Sequence, residues 1–340
     1  MFYKLIRHIL FRFDAEKSHY FALNALKLLK RAGLLRLITK KTVEAPITVM
    51  GLEFKNRVGL AAGLDKNAQY IDALSQAGFG FIEVGTVTPK PQPGNDKPRL
   101  FRLPAASAII NRMGFNNDGV EALLAAVKKS SYRGVLGINI GKNFSTAVEN
   151  AVDDYLLGFK SVYQLADYVT VNISSPNTPG LRSLQHGDAL FDLLTQLKAS
   201  QKELQSVYKK YVPIAVKIAP DLSDDEIKLL SDTFLKTAID AVIATNTTLS
   251  RDGVENLPHA EEQGGLSGQP VKDASTRVVR RLCELFDGKI PVIAVGGIGS
   301  ASDALEKINA GAELVQIYSG FIYQGPALVN ECAQALAQQG

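Results

Sequence analysis

Eight short apolar runs, spaced widely enough for a helix between neighbours, constrain this chain more than any other feature. They occupy residues 58–62, 81–85, 135–140, 168–173, 213–218, 241–244, 292–295 and 314–317. Most are near-continuous rather than alternating, the pattern of parallel strands buried on both faces. The intervening stretches carry helix starts: Ser223-Asp224-Asp225-Glu226 reads as a capping box, and Ser302-Asp303 opens another helix. Eight strand–helix units predict a closed (β/α)8 barrel of the TIM type over residues 42–340. An open doubly wound sheet is the runner-up and ranks well behind, because no Gly-x-Gly-x-x-Gly follows the first run. Residues 42–57 read as a small hairpin closing the bottom of the barrel. With 340 residues, 46% of them hydrophobic, the chain can bury the core a barrel needs.

Residues 1–41 differ in character. They hold ten Lys/Arg and two acids, Asp14 and Glu16, whereas the rest holds 28 basic and 32 acidic residues. The arm thus carries +8 and the body −4, which argues against binding along a nucleic-acid backbone. The arm has neither the apolar core and cleavage site of a secretory signal nor the ~20 apolar residues of a spanning helix. It reads instead as two short amphipathic helices. Leu5, Ile6, Ile9, Leu10 and Phe13 share one face. Asp14 caps the second helix, whose apolar face is Phe21, Ala22, Ala25, Leu26 and Leu29, with Gly33 as the stop. Such an N-terminal amphipathic two-helix extension either docks on the barrel or lies on an anionic membrane surface. The two cysteines, Cys283 and Cys332, exclude a disulfide framework and a cysteine-rich zinc site. The four histidines (His8, His19, His186 and His259) show no metal-ligand spacing.

In a barrel of this kind, chemistry gathers at the C-terminal ends of the strands. Those ends carry a non-random set: Ala62-Gly63-Leu64-Asp65-Lys66, Gly85-Thr86, Asn139, Asn172, Lys217, Thr245-Asn246-Thr247, Gly296-Gly297 and Tyr318-Ser319-Gly320. The fourth run opens into Asn172-Ile173-Ser174-Ser175-Pro176-Asn177-Thr178-Pro179-Gly180, too rich in hydroxyls and amides for a plain connector. Ser175 is the candidate for proton chemistry there, with Asn172 and Asn177 holding the molecule it works on. Small residues in the last two loops and at 264–268 allow close backbone approach to a phosphate. Lys66 and Lys217 at a buried rim need partners, since an unpaired buried ammonium is costly. Lys66 either pairs with Asp65 or faces a bound anion. Asn111, Asn172, Asn177 and Asn246 suit a planar molecule with amide-like edges.

Together Gly63-Leu64-Asp65-Lys66, Asn111-Arg112-Met113-Gly114-Phe115, Asn172-Ile173-Ser174-Ser175-Pro176-Asn177 and Gly265-Leu266-Ser267-Gly268 resemble dihydroorotate dehydrogenases. The arm and Ser175 resemble the membrane-associated, quinone-reducing class, since the soluble class carries cysteine at that position. The likeness spans essentially the whole chain. It implies a flavin mononucleotide (FMN) held by Ala62, Gly63, Leu64, Asp65, Lys66, Thr86, Asn139, Asn172, Lys217, Thr245, Gly268, Gly297, Tyr318 and Ser319. It implies dihydroorotate, oxidised to orotate, on Lys66, Asn111, Arg112, Met113, Gly114, Phe115, Asn172, Asn177, Asn246 and Thr247. Ser175 is the implied base, Thr178 its proton relay, and Lys66 and Phe115 complete the catalytic set. Arg102, Tyr318 and His19 are the implied quinone site, for ubiquinone or menaquinone. The resemblance also implies a monomer, peripheral on the cytoplasmic face of a bacterial inner membrane, that works in pyrimidine biosynthesis.

Rival flavin barrels fit less well. A 2-hydroxy acid oxidase would need a histidine base at a strand end, and none of the four lies at one. A tRNA-modifying flavin reductase would want a cysteine acid and a basic barrel face. A non-catalytic membrane scaffold would have no need of the rim lysines, asparagines and Ser175.

Overall fold

All eight apolar runs form strands, and each is hydrogen-bonded in parallel to its neighbours. In the computed structural model, which describes residues 2–35, 39, 41–178, 180–185 and 187–339, they are β1 (Val58–Leu60), β2 (Phe81–Val87), β3 (Val135–Ile140), β4 (Tyr168–Asn172), β5 (Ile214–Ile218), β6 (Ala241–Ala244), β7 (Val292–Val295) and β8 (Leu314–Ile317). Consecutive strands pair around the ring, and β8 pairs with β1 to close it. The strand residues are buried almost throughout, because helices cover the outside and side chains fill the inside. The predicted capping box is present: Ser223 Oγ accepts from the Glu226 amide, and the Glu226 carboxylate accepts from the Ser223 amide. The helix read from Ser302-Asp303 begins two residues earlier. Ser300 caps Ala301–Asn309 by accepting from the Asp303 amide.

The hairpin Ile47–Val49 with Leu52–Phe54 plugs the barrel bottom. Phe54 is fully buried and meets Phe81 edge-on at 5.0 Å, and Phe81 in turn lies against Tyr168. One element went unread in the sequence. Leu100–Leu103, Ala108–Asn111 and Gly265–Gly268 form a three-stranded antiparallel sheet, which brings the Asn111 and Gly265 motifs into register as direct partners.

Two N-terminal helices precede the barrel, α1 (Phe2–Leu10) and α2 (Ala15–Arg31), with Asp14 capping α2 through the Lys17 amide. They are tied to the body. Tyr3 Oη donates to the Ile322 carbonyl at 2.7 Å, and Arg7 donates to that of Tyr323 at 2.7 Å. Glu16 is buried against Arg99, which donates to both carboxylate oxygens at 3.1 and 2.8 Å. Yet Leu5, Ile9, Phe13, Phe21 and Leu28 each remain at least half exposed. The end of the arm (residues 36–38 and 40), Pro179 of the polar loop and His186 fall outside the described residues. No described helix is long and apolar enough to cross a membrane.

Candidate active site

A cavity opens at the C-terminal ends of the strands and collects most of the rim residues singled out above. Its wall includes Ala62, Gly63, Lys66 and Thr86 from the first two units, and Asn172, Lys217, Thr245, Asn246 and Thr247 from the middle ones. The glycine loops close the other side with Gly268, Gly297, Tyr318 and Ser319. Asn111, Met113, Gly114 and Phe115 cover it from the antiparallel sheet, and Ser175 and Asn177 from the loop after β4.

Backbone geometry explains the small residues. Gly297 has φ +74°, and a Cβ there would collide with the Lys272 backbone. A Cβ on Gly320 would collide with the Ile298 carbonyl. These loops can pack this closely only without side chains. The Ser319 and Ser267 hydroxyls, 2.8 Å apart, tie the last of these loops to the Gly265–Gly268 strand.

Neither pocket lysine has a hydrogen-bond or ion-pair partner among the described residues. Asp65 does not pair with Lys66; its carboxylate accepts instead from the Gln69 and Tyr70 amides at 2.8 and 2.7 Å. Burial, with the Arg99 charge in second place, lowers the Lys66 pKa to about 8. Burial likewise lowers that of Lys217, and the nearby Glu83 partly offsets this. Two further buried polar atoms of wall residues also lack partners among the described residues, Thr247 Oγ1 and Gln316 Oε1. A wall with two unmatched ammonium groups and unmatched acceptors is built to meet a polar, anionic ligand.

The loop after β4 is held from several sides. Tyr155 Oη donates to the Asn172 carbonyl at 2.6 Å. Arg182 donates to the Ser174 and Thr247 carbonyls at 3.2 and 2.9 Å and pairs with Asp221 at 2.8 Å. Asn177 Nδ2 donates to the Asn111 carbonyl at 3.0 Å, which ties the loop to the antiparallel sheet. Ser175 is buried, and its Oγ accepts from the Asn177 amide at 3.2 Å.

Other expected site residues lie off the cavity wall. Asn139 is buried and reaches the wall only through Thr86, and Thr178 is buried three residues beyond Ser175 on the same loop. Leu64 and Asp65 face a smaller cavity, shared with Lys66 and with His19, Tyr20 and Leu23 of α2. Burial, with Lys66 nearby, lowers His19 to about 4. The Arg112 guanidinium points away, to Glu262 at 2.6 Å and the Pro98 carbonyl at 2.8 Å. Arg102 donates to the carbonyls of Leu10, the last residue of α1, and of Phe13, and stacks on Phe11 at 4.5 Å. Tyr318 does line the cavity, and burial raises its pKa to about 12.

Several wall residues escaped the sequence reading, among them Gln316, Tyr323 and Gln324. Tyr323 links the cavity to the arm: its ring meets Phe11 at 5.4 Å and its hydroxyl donates to the Ala108 carbonyl at 2.7 Å. A glutamine inside an otherwise apolar last run was the signal available for Gln316. Glu83, the one acid within the second run, was a similar signal.

Comparisons with known proteins agree with one another. A family model described as dihydroorotate dehydrogenase matches residues 45–339. The dihydroorotate dehydrogenase (quinone) of Ectopseudomonas mendocina is 59% identical over 335 residues, 98% of each chain. That of Pseudomonas fluorescens is 59% identical over 338 residues, 99% of this chain and all of the other. Among solved structures, the Eimeria tenella DHODH in complex with ferulenol superposes with a TM-score of 0.86 at 38% identity, covering 95% of this chain and 90% of that one. Its ligand-free counterpart gives 0.85 at 39%, covering 93% of each. With a barrel of this topology and a family match over nearly all of it, the chain belongs to the dihydroorotate dehydrogenase family.

Proposed function

We propose that this chain oxidises dihydroorotate to orotate with a bound FMN and passes the electrons to a membrane quinone. One observation carries the reading: a single cavity joins two unpartnered buried lysines, three rim asparagines, the Asn111 amide and Ser175. When bound, FMN supplies the two-electron acceptor that the amino acids lack. The residues fit it. The loops at 296–297 and 319–320 have the close-packed backbone a phosphate needs, with Ser267 and Ser319 beside them. Lys66 and Lys217 supply positive charge where the ligand becomes electron-rich. Ala62, Gly63, Thr86, Thr245, Gly268 and Tyr318 form the rest of its bed, with Leu64, Asp65 and Asn139 supporting it from behind.

The asparagines hold the substrate ring by its amide edges, and Lys66 meets its carboxylate. Met113, Gly114 and Phe115 cover the ring; Arg112 contributes through backbone and by bracing this cover. Ser175 removes the ring proton on the exposed face, and Thr178 is the residue assigned to pass that proton outward. A serine hydroxyl ionises far above neutral pH, so turnover depends on this onward transfer. The quinone approaches from the arm, where Tyr318, Tyr323 and Gln324 form the near wall, with Arg102 and His19 behind them. The exposed apolar side chains of α1 and α2, on a +8 arm, suit an anionic bilayer surface. On this reading the enzyme is a monomer, peripheral on the cytoplasmic face of a bacterial inner membrane, that uses ubiquinone or menaquinone in pyrimidine biosynthesis.

The test is a stopped-flow comparison of wild type with Ser175→Ala under anaerobic conditions. Dihydroorotate should bleach the flavin absorbance of the wild type, and Ser175→Ala should slow bleaching by roughly two to four orders of magnitude with flavin still bound. Near-normal bleaching in the variant would remove Ser175 from its role; no bleaching in the wild type would remove the activity.

A further inference from the structure

One layer of the barrel interior is polar where this fold ordinarily stacks branched apolar side chains. Glu83, in the middle of β2, is fully buried there. Its Oε1 accepts from Asn139 Nδ2 at 2.8 Å. Its Oε2 accepts from Tyr168 Oη at 2.9 Å, Thr170 Oγ1 at 3.1 Å and Gln316 Nε2 at 2.8 Å. Buried ionic groups are often no better for stability than well-packed apolar ones, so this layer invites a reason other than stability.

That reason is direction. A carboxylate only accepts hydrogen bonds, so Asn139 must turn its NH2 to Glu83 and its Oδ1 away. Thr86 Oγ1 donates to that Oδ1 at 2.6 Å. With its one proton engaged, the Thr86 hydroxyl can only accept from its next neighbour, Asn172 Nδ2, at 3.0 Å. Asn172 therefore faces its Oδ1 the other way, towards Asn246 Nδ2 at 3.3 Å. Asn246 is left to accept, through Oδ1, from the Thr247 amide at 2.8 Å. One acceptor-only group thus starts a chain that turns three amides and one hydroxyl in a single sense, two of those amides on the cavity wall. The Ser174 and Thr247 backbone amides, donating to Asn172 Oδ1 and Asn246 Oδ1, hold the far end in that same sense. Gln316 is turned by the same charge: its NH2 faces Glu83, and its Oε1 is left without a partner among the described residues.

We propose that Glu83 is a positioning residue that fixes the donor–acceptor polarity of the asparagine wall, so that the pocket presents one hydrogen-bond pattern to its planar, amide-bearing ligand. The inference rests on the assignment of Asn172 and Asn246 to the substrate. Glu83→Gln keeps the shape but can donate as well as accept, and the fixed sense of the chain is lost. In the flavin-loaded protein, orotate titrated against the flavin spectrum should bind Glu83→Gln about tenfold or more weakly, the scale of a mispaired buried amide. Thr86→Val breaks the relay at its second link with the carboxylate in place and, compared at equal flavin occupancy because Thr86 also lines the flavin bed, should weaken orotate similarly. The double variant should lose little beyond either single one, because both act through one chain. Tyr168→Phe removes a donor to Glu83 outside the relay and should leave orotate affinity unchanged. Should Glu83→Gln fail to fold, Thr86→Val against Tyr168→Phe decides the matter. Wild-type affinity in Glu83→Gln or Thr86→Val, additive losses in the double variant, or an equal loss in Tyr168→Phe overturns the proposal. A wild-type protein that binds no orotate overturns the substrate assignment instead.

Discussion

At the residue scale, the proposed chemistry turns on Ser175. It is buried on a loop that Tyr155, Arg182 and Asn177 fasten to three different elements, so its hydroxyl has little freedom to reorient. Its difficulty as a base is intrinsic, since no cation is hydrogen-bonded to it among the described residues. A thiol ionises near 8.5, well below a hydroxyl. Ser175→Cys should therefore retain more activity than Ser175→Ala, with a rate plateau at lower pH than the wild type. A pH–rate profile of flavin reduction checks this, and an unshifted plateau would speak against direct proton removal by residue 175. The asparagines were legible in the sequence because they sit at or beside strand ends, where a barrel of this kind gathers its chemistry. Glu83 was not, because it lies in mid-strand, and its influence reaches the cavity only through Asn139, Thr86 and Asn172.

At the element scale, the Glu16–Arg99 pair anchors α2 to the barrel. Both side chains are only 6% exposed, and Arg99 also donates to the Pro93 and Asn95 carbonyls. Breaking one partner of such a pair leaves a buried charge, at a cost of about 3–5 kcal/mol. Arg99→Ala should lower unfolding stability on that scale and loosen α2, measured by denaturant unfolding and by proteolysis within the arm. Burial alone would raise the Glu16 carboxyl, but the Arg99 hydrogen bonds and charge hold it below its ordinary value of 4.5. The folded state thus binds fewer protons than the unfolded one. The contribution of the pair is complete above about 4.5 and disappears as pH falls through the depressed folded value. Amide exchange in α2, corrected for its intrinsic pH dependence, should accordingly speed up only as pH falls below that range; equal protection at pH 6 and pH 3 would contradict the anchor.

The barrel itself was legible because continuous apolar runs of strand length leave few alternatives once eight of them recur. The antiparallel sheet was not, because its register joins Asn111 to Gly265 across half the chain, and neither segment shows strand periodicity of its own. Glycine-rich and asparagine-rich stretches read as loops even where a distant partner makes them strands.

At the scale of the whole molecule, the cavity wall has two kinds of cover. The Ser175 loop and the residues of and after the antiparallel sheet form one; Tyr323, whose ring packs on Phe11 just past α1, belongs to the other. The arm's docked side is buried against the barrel, while Leu5, Ile9, Phe13, Phe21 and Leu28 stay exposed. Replacing Phe13, Phe21 and Leu28 by serine should release the protein from anionic vesicles without changing the rate at which dihydroorotate reduces the flavin. Co-sedimentation and stopped flow read the two effects separately, and unchanged vesicle binding would remove the arm's surface role. The most direct test of the account follows the flavin spectrum through both half-reactions, anaerobically, in vesicles that contain quinone. Dihydroorotate should bleach the flavin of the wild-type protein and the vesicle quinone should restore it, with restoration, not bleaching, slowed in the arm-face variant. A flavin that dihydroorotate does not bleach, or that the quinone cannot restore, would contradict it.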